Sequence, residues 1–304
     1  MKRAYVIVNP TAGKSQADRF FLSIIQNLQS GGYECTSRLT EKSGDAEDFA
    51  EEAALSGRYD IIVAIGGDGT YNEVVSGIKR SEKDIPIGYI PAGSTNDFAD
   101  TLGLSTYMPL AALSISNSIP QKVDIGDFNG RYFSYIASFG AFTGVSYSTP
   151  QSMKNVLGHF AYVLSGVAEL GNMKPWHVKI KTDTKSLEGD FIFGAICNTT
   201  SVAGILTLDE ELVDLSDGIF EVLLIKYPSN PIELNSVLVS LRLGRFKENS
   251  LIEFFDAKEI EMECDPKMNW TLDGEYQQGS EFINIKNINK GVTVLIPDGR
   301  KISE

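Results

Sequence analysis

Residues 61–73 read IIVAIGGDGTYNE (Ile61–Glu73). Five apolar residues in a row, closed by two glycines, fit a strand buried on both faces rather than one washed by solvent. The glycines allow a sharp turn, and a helical pattern follows from about Asn72 to Ile78. The same order recurs on either side. Strand Tyr5–Val8 runs into NPTAGKS (Asn9–Ser15) and a helix from about Ser15 to Gln29, where Phe20, Phe21, Ile24, Ile25 and Leu28 fall at helical spacing before Gly31-Gly32. Ser15 with Asp18 fits a cap with an acidic partner. Thr36–Leu39 precedes an acidic helix over Ala46–Leu55, and Ile87–Ile90 leads into PAGSTNDF (Pro91–Phe98) with a helix near Thr95. Continuous apolar strands alternating with helices predict a doubly wound parallel α/β domain.

Beyond about Asp124 the pattern changes. Strand-like runs at Tyr132–Ser138, His177–Lys181, Phe191–Cys197, Phe220–Ile225, Glu259–Glu263, Asn269–Leu272, Phe282–Ile285 and Val292–Ile296 outnumber two helical patterns, Met153–Leu170 and Glu233–Leu243. This half reads as an antiparallel β-sandwich or barrel. The turn signature Asp127–Gly130 sets the boundary: an α/β domain over 1–128 and a β-sandwich over 129–289, the last strand belonging to either.

Composition agrees and excludes. A chain of 304 residues suits about two domains. Its 40 acidic residues against 27 basic ones give a net charge of −13, wrong for nucleic acid, which rewards clustered Lys and Arg. A membrane surface is less excluded, since a local basic or apolar patch acts despite the net charge. Cys35, Cys197 and Cys264 form no CxxC pair, which fits a reducing cytoplasm. The N-terminal apolar run is too short for a signal peptide, and no stretch approaches the roughly 18 apolar residues of a spanning helix. His159 and His177 stand in no motif and read as structural.

Three glycine turns carry the chemistry of the first half. In GGDGTYNE, amides at a helix start suit phosphate; Asp68 is the wrong sign for direct phosphate contact and fits either a bound Mg²⁺ or a capping role. PAGSTNDF repeats the pattern Gly-x-x-Asn-acid, as Gly93–Asp97 beside Gly69–Glu73, so both turns offer hydroxyls and amides on one sheet edge, where ligands bind in open α/β folds. NPTAGKS lacks the first glycine of a Walker A loop, Val8 standing in its place, yet remains a turn-to-helix phosphate cradle. No turn contains GxGxxG, which weakens a dinucleotide oxidoreductase. In the second half, Asp273-Gly274-Glu275 ends a strand: two acids on one turn serve as a metal or general-base pair, or form a solvated hairpin turn. Asp217 is a turn acid of the same kind, and Asp124 and Asp127 lie at the domain junction.

NPTAGK at 9–14, GGDGTYNEVVSG at 66–77, AGSTNDFADTLG at 92–103, VDIGDF at 123–128 and LDGE at 272–275 together resemble the diacylglycerol kinase catalytic-domain family, in particular the bacterial soluble lipid kinases related to sphingosine and ceramide kinases. GGDGT alone is shared with NAD kinases and 6-phosphofructokinases; the combination is specific and spans nearly the whole chain. The resemblance implies ATP and Mg²⁺ in a cleft between an α/β domain and a β-sandwich, with the final segment, about 290–304, returning to the first domain. It places ATP contacts on Asn9, Pro10, Thr11, Ala12, Gly13, Thr40, Gly66, Gly67, Asp68, Gly69, Thr70, Tyr71, Asn72 and Ser94, the last replacing the family's threonine with another hydroxyl. It places a structural Mg²⁺ on the carbonyls of Asp214 and Ile219 and the carboxylate of Asp217. The general base falls on Glu275 with Asp273 beside it, and Asp68, Asp97 and Asp124 form a metal-and-water network. NTTSVAG (Asn198–Gly204) is poorer in glycine than the family's loop, so the acceptor pocket is unassigned.

The function this implies is an ATP- and Mg²⁺-dependent lipid kinase acting on a primary hydroxyl, diacylglycerol foremost, in a cytoplasmic protein peripheral to the membrane and able to form a homodimer. The rivals are a NAD kinase-like enzyme and a non-catalytic nucleotide- or lipid-binding module. A lipid substrate further predicts a locally basic or apolar surface, with Met153–Leu170 and its Lys154, and Lys174, Lys179 and Lys181, as candidates.

Overall fold

The structure, a computed structural model, describes residues 1–14, 16–94, 96–140, 174–199, 201–202, 206–207 and 214–297. The helix expected over Met153–Leu170, with Lys154 and His159, lies outside these residues, as do Ser15, Thr95 and part of the Asn198–Gly204 loop. The chain divides into two compact units, Met1–Ile125 with the chain from Asn289 onward, and Gly126–Ile288.

The first unit runs β1 (Lys2–Val8), α1 (Gln16–Ser30), β2 (Tyr33–Leu39), α2 (Asp45–Ser56), β3 (Ile61–Gly66), α3 (Asp68–Arg80), β4 (Ile87–Pro91), α4 (Asp97–Thr101) and α5 (Met108–Ile115). The strands pair in the order β2-β1-β3-β4, all parallel. In register, Val8 lies beside Leu39 and Ile65, and Gly66 beside Pro91, so the strands end together at one edge. Strand order reverses between β1 and β3, and the carboxyl edge at such a reversal is where α/β sheets bind ligands. Every residue of β3 and β4 is buried, as their apolar runs require. Ala4, Val6, Val8, Val63, Ile65 and Ile90 pack with Ile24 and Leu28 of α1 and Met108, Ala112 and Ile115 of α5. α3 starts at Asp68, four residues earlier than the periodicity predicts. Extended Gly67 caps it, and the acid of Asp68 in its first turn suits the positive helix end.

β5 (Ser118–Phe128) carries the chain from one unit into the next. The second unit contains β6 (Arg131–Phe133), β7 (Ile136–Gly140), β8 (Trp176–Thr182), β9 (Ser186–Cys197), the short ladder β10 (Ser201–Val202) with β11 (Leu206–Thr207), β12 (Phe220–Lys226), α6 (Pro231–Arg242), β13 (Ile252–Ala257), β14 (Glu259–Cys264), β15 (Trp270–Leu272) and β16 (Glu275–Gln277). Its ladders are antiparallel. Long β9 pairs with β8 along its first half and lies between β7 and β12 along its second, which joins the two layers of the sandwich. The core between them is aromatic: Trp270 meets Phe128 and Phe139 at ring-centroid distances of 5.0 and 4.8 Å, and Phe133 stacks on Phe220. β17 (Phe282–Pro297) begins in this unit against β14, and its Val294 pairs in parallel with Ile87 of β4 in the first.

Candidate active site

The three glycine turns of the first unit meet at the carboxyl ends of β1, β3 and β4. Asn9 organises the first: its Oδ1 accepts Thr11 N–H at 3.0 Å, and its Nδ2 donates to Thr70 Oγ1 at 3.0 Å, reaching the second turn. Gly13 has φ +53°, and a Cβ there would strike the carbonyl of Ala92, so only glycine lets the first turn lie against the third. The second and third turns touch through their backbones: a Cβ on Gly93 would come within 2.7 Å of both Gly67 Cα and Asn96 Oδ1. Asn96 closes the third turn on itself, its side chain accepting from Gly93 N–H at 2.8 Å and donating to Gly93 C=O at 3.0 Å. Among the described residues no side chain caps the start of α3. The first-turn amides of that helix lack carbonyl partners within it, and Ser94 is exposed on the neighbouring turn.

Asp68 joins the turns electrostatically. Its Oδ1 accepts from Tyr89 Oη at 3.2 Å and its Oδ2 from Asp97 N–H at 3.1 Å. The carboxyl is 9% exposed, and burial first and the Asp97 charge second push it up to about 6. Burial also raises Asp97, whose Oδ2 is buried with no hydrogen-bond partner among the described residues. A buried acid beside a half-buried one with an enclosed oxygen forms a place short of positive charge.

Other predicted residues divide. Thr40 sits beside the first turn, its N–H donating to Val8 C=O at 2.9 Å. Tyr71 is a core residue: 1% exposed, its ring 4.8 Å from Tyr89 and 5.2 Å from Phe98, with its N–H given to Gly67 C=O. Asn72 is buried on the same helix. Asp124, fully buried, accepts from Asn289 Nδ2 at 3.1 Å and Lys290 N–H at 2.5 Å, and so ties β5 to β17.

In the second unit Asp273 does not project from its turn. It is 5% exposed, and its carboxylate accepts the backbone N–H of Ser134 at 2.6 Å and of Tyr135 and Ile136 at 3.0 Å each. Asp273 and Gly274 both take positive φ, 50° and 83°, which turns β15 tightly into β16 and places Glu275 at the start of β16. Glu275 is half-exposed, and its Oε2 accepts from Arg131 Nη2 at 2.8 Å. Asp273 thus anchors the turn.

At the turn expected to hold a metal, both acids accept from nearby backbone. Asp217 Oδ1 accepts from Ile219 N–H and Asp214 Oδ1 from Ser216 N–H, both at 2.9 Å, while the Ile219 carbonyl accepts from Asn287 Nδ2. Among the described residues no three His, Cys, Asp or Glu side chains converge as metal ligands. The expected basic surface also fails on β8, where Lys179 faces Glu263 at 3.7 Å and Lys181 faces Glu261 at 3.3 Å across the ladder with β14.

Comparison with known proteins follows the same division. Residues 3–128 match the model of the diacylglycerol kinase catalytic domain, and residues 138–285 that of the YegS C-terminal NAD kinase beta sandwich-like domain. A diacylglycerol kinase of Bacillus subtilis (strain 168) is 36% identical over 288 residues, 94% of each chain. One from Staphylococcus saprophyticus subsp. saprophyticus is 34% identical over 303 residues, 100% of this chain and 98% of that one. The chain belongs to the diacylglycerol kinase family. A solved diacylglycerol kinase of Bacillus anthracis str. Sterne shares the fold at TM-score 0.74 and 21% identity, over 98% of this chain and 97% of that one. As a member of this family the chain is a lipid kinase, with the α/β domain and antiparallel β-sandwich that its sequence predicted. Among the described residues no helix is long and apolar enough to cross a membrane.

Two residues of this family member escaped the motif reading. Tyr89 holds Asp68 from inside an apolar strand, where an aromatic reads as core. Arg131 stands in a turn-like stretch, and only the fold brings it to Glu275, 144 positions away.

Proposed function

We propose that this lipid kinase transfers the γ-phosphoryl group of ATP to the primary hydroxyl of diacylglycerol, giving phosphatidic acid and ADP with Mg²⁺ required. The cradle of three packed glycine turns carries this reading: it offers amides and hydroxyls to a chain of phosphates and excludes side chains from it. Asn9 and Thr70 fix the relative positions of the first two turns, and Gly67 and Gly93 those of the second and third. Asp68 and Asp97 would hold the cation, since the unpartnered buried oxygen of Asp97 and the raised carboxyl of Asp68 both call for positive charge. Mg²⁺, when bound, neutralises phosphate charge and helps align the triphosphate. Magnesium sites of this kind use one or two carboxylates, with phosphates and water completing the shell, so a pair of acids suffices.

Glu275 acts as the general base. It takes the proton of the acceptor hydroxyl as that oxygen bonds to the γ-phosphorus and the bond to the bridging oxygen of ADP breaks. Such help is worth roughly 10²–10⁴-fold. The lipid comes from a membrane surface, so the protein works peripherally.

Radiolabelled ATP with a total lipid extract tests the substrate. The expected product is labelled phosphatidic acid. Label confined to NAD or another soluble metabolite would overturn the substrate class, and label on a sphingoid base or polyprenol would replace diacylglycerol within it.

A further inference from the structure

The hairpin that presents Glu275 is held at both ends by one short stretch, Arg131 to Ile136. From its far end, the amides of Ser134, Tyr135 and Ile136 grip the Asp273 carboxylate. From its near end, the Arg131 guanidinium makes three bonds to consecutive residues of β16. Nη2 donates to Glu275 Oε2 at 2.8 Å, while Nη1 donates to the Tyr276 carbonyl at 2.8 Å and to Gln277 Oε1 at 3.1 Å. Asp273 fixes the backbone of the turn. Arg131 grips the Glu275 carboxylate itself, with a fork whose other prong is anchored on the same strand.

We infer that Arg131 is the positioning residue of the phosphoryl-transfer site, holding the Glu275 carboxylate in place for the acceptor hydroxyl. This inference rests on the reading of Glu275 as the base. A pair of this kind between half-exposed partners adds little to stability. It matters instead for geometry, because a base must sit within hydrogen-bond reach of the proton it removes. Lysine cannot reproduce the arrangement fully, since an ammonium is a point charge without the planar fork that spans Glu275 and Tyr276.

The experiment is a double-mutant cycle on the full chain, read as kcat and KM with diacylglycerol micelles. Arg131→Gln is expected to lower kcat on the order of 10–10²-fold with the KM for ATP unchanged. Arg131→Lys should recover part of that loss, and free guanidinium at concentrations too low to denature should partly rescue Arg131→Ala. Because Arg131 acts through Glu275, the double variant Arg131→Gln/Glu275→Gln should be no slower than Glu275→Gln alone. Wild-type kcat in Arg131→Gln, with Glu275→Gln inactive, would overturn this inference and leave the base assignment standing. So would losses that multiply in the double variant. Full activity in Glu275→Gln would remove the base assignment and this inference with it. Circular dichroism and thermal melting of Arg131→Gln separate either result from misfolding, and guanidinium rescue remains decisive if that variant is unstable.

Discussion

The Oδ2 of Asp68 accepts the backbone N–H of Asp97 at 3.1 Å, which fastens the turn after β3 to the turn after β4. A carboxylate inside a phosphate cradle is unfavourable in isolation. Here it braces two loops and, with Asp97, supplies the negative charge that a cation would neutralise.

Asp68→Asn separates bracing from charge. An amide can still accept from Asp97 N–H and donate to Tyr89 Oη, so the fold should survive while activity falls at least 10²-fold. The pH dependence follows from the sign of the shift. The folded carboxyl titrates at about 6 against an ordinary 3.8, so ionising it costs the folded state. That cost is absent below the ordinary value, grows as pH rises, and is complete above about 6, where it is worth about 3 kcal/mol. Without nucleotide or Mg²⁺, the variant should therefore melt above wild type at pH 7.5 and match it near pH 4. Lower stability at pH 7.5 would refute the account of that shift.

Asp273→Ala should act on stability before chemistry. Removing the carboxylate strands three buried amide donors, for a loss of about 3 kcal/mol. Calorimetric melting and activity at low temperature check this. A stable but inactive variant would make Asp273 a reacting group after all.

Gly93→Ala tests the cradle. Its Cβ would fall 2.7 Å from Gly67 Cα, so the two turns must separate, at a cost of about 1–3 kcal/mol. The KM for ATP should rise several-fold more than that for the lipid. Equal effects on both would place the nucleotide elsewhere.

Lys179→Gln/Lys181→Gln should leave vesicle binding and lipid phosphorylation unchanged to within about twofold, because glutamates across the ladder already neutralise both lysines. A sedimentation assay with anionic vesicles measures this, and a clear loss of binding would restore β8 as a docking face.

Much of this architecture was legible in the chain. Ile61–Ile65 and Ile87–Ile90 are apolar throughout because both faces of their sheet are covered, and the glycines after them mark where backbones touch. The acids were harder. Glu73 and Asp97 occupy matching places in the two Gly-x-x-Asn-acid repeats, yet Glu73 accepts from Ser43 Oγ and the amides of Gly44 and Ala46 at the start of α2, while Asp97 stays with Asp68. The repeat sets the turn; the neighbour each acid meets depends on packing far along the chain. Asp273 and Arg131 follow the same rule, since their partners lie over 130 positions away. Lys179 and Lys181 read as a basic stretch until the register of β14 sets glutamates opposite them.

In the function proposed above, the glycine-turn cradle binds the nucleotide and Glu275 activates the lipid hydroxyl. The most direct measurement compares wild type and Glu275→Gln in one preparation, reading nucleotide binding by fluorescence and labelled phosphatidic acid from diacylglycerol. Equal nucleotide affinity is expected, with product formation lower by about 10²-fold or more in the variant. Equal product formation by both proteins would contradict it.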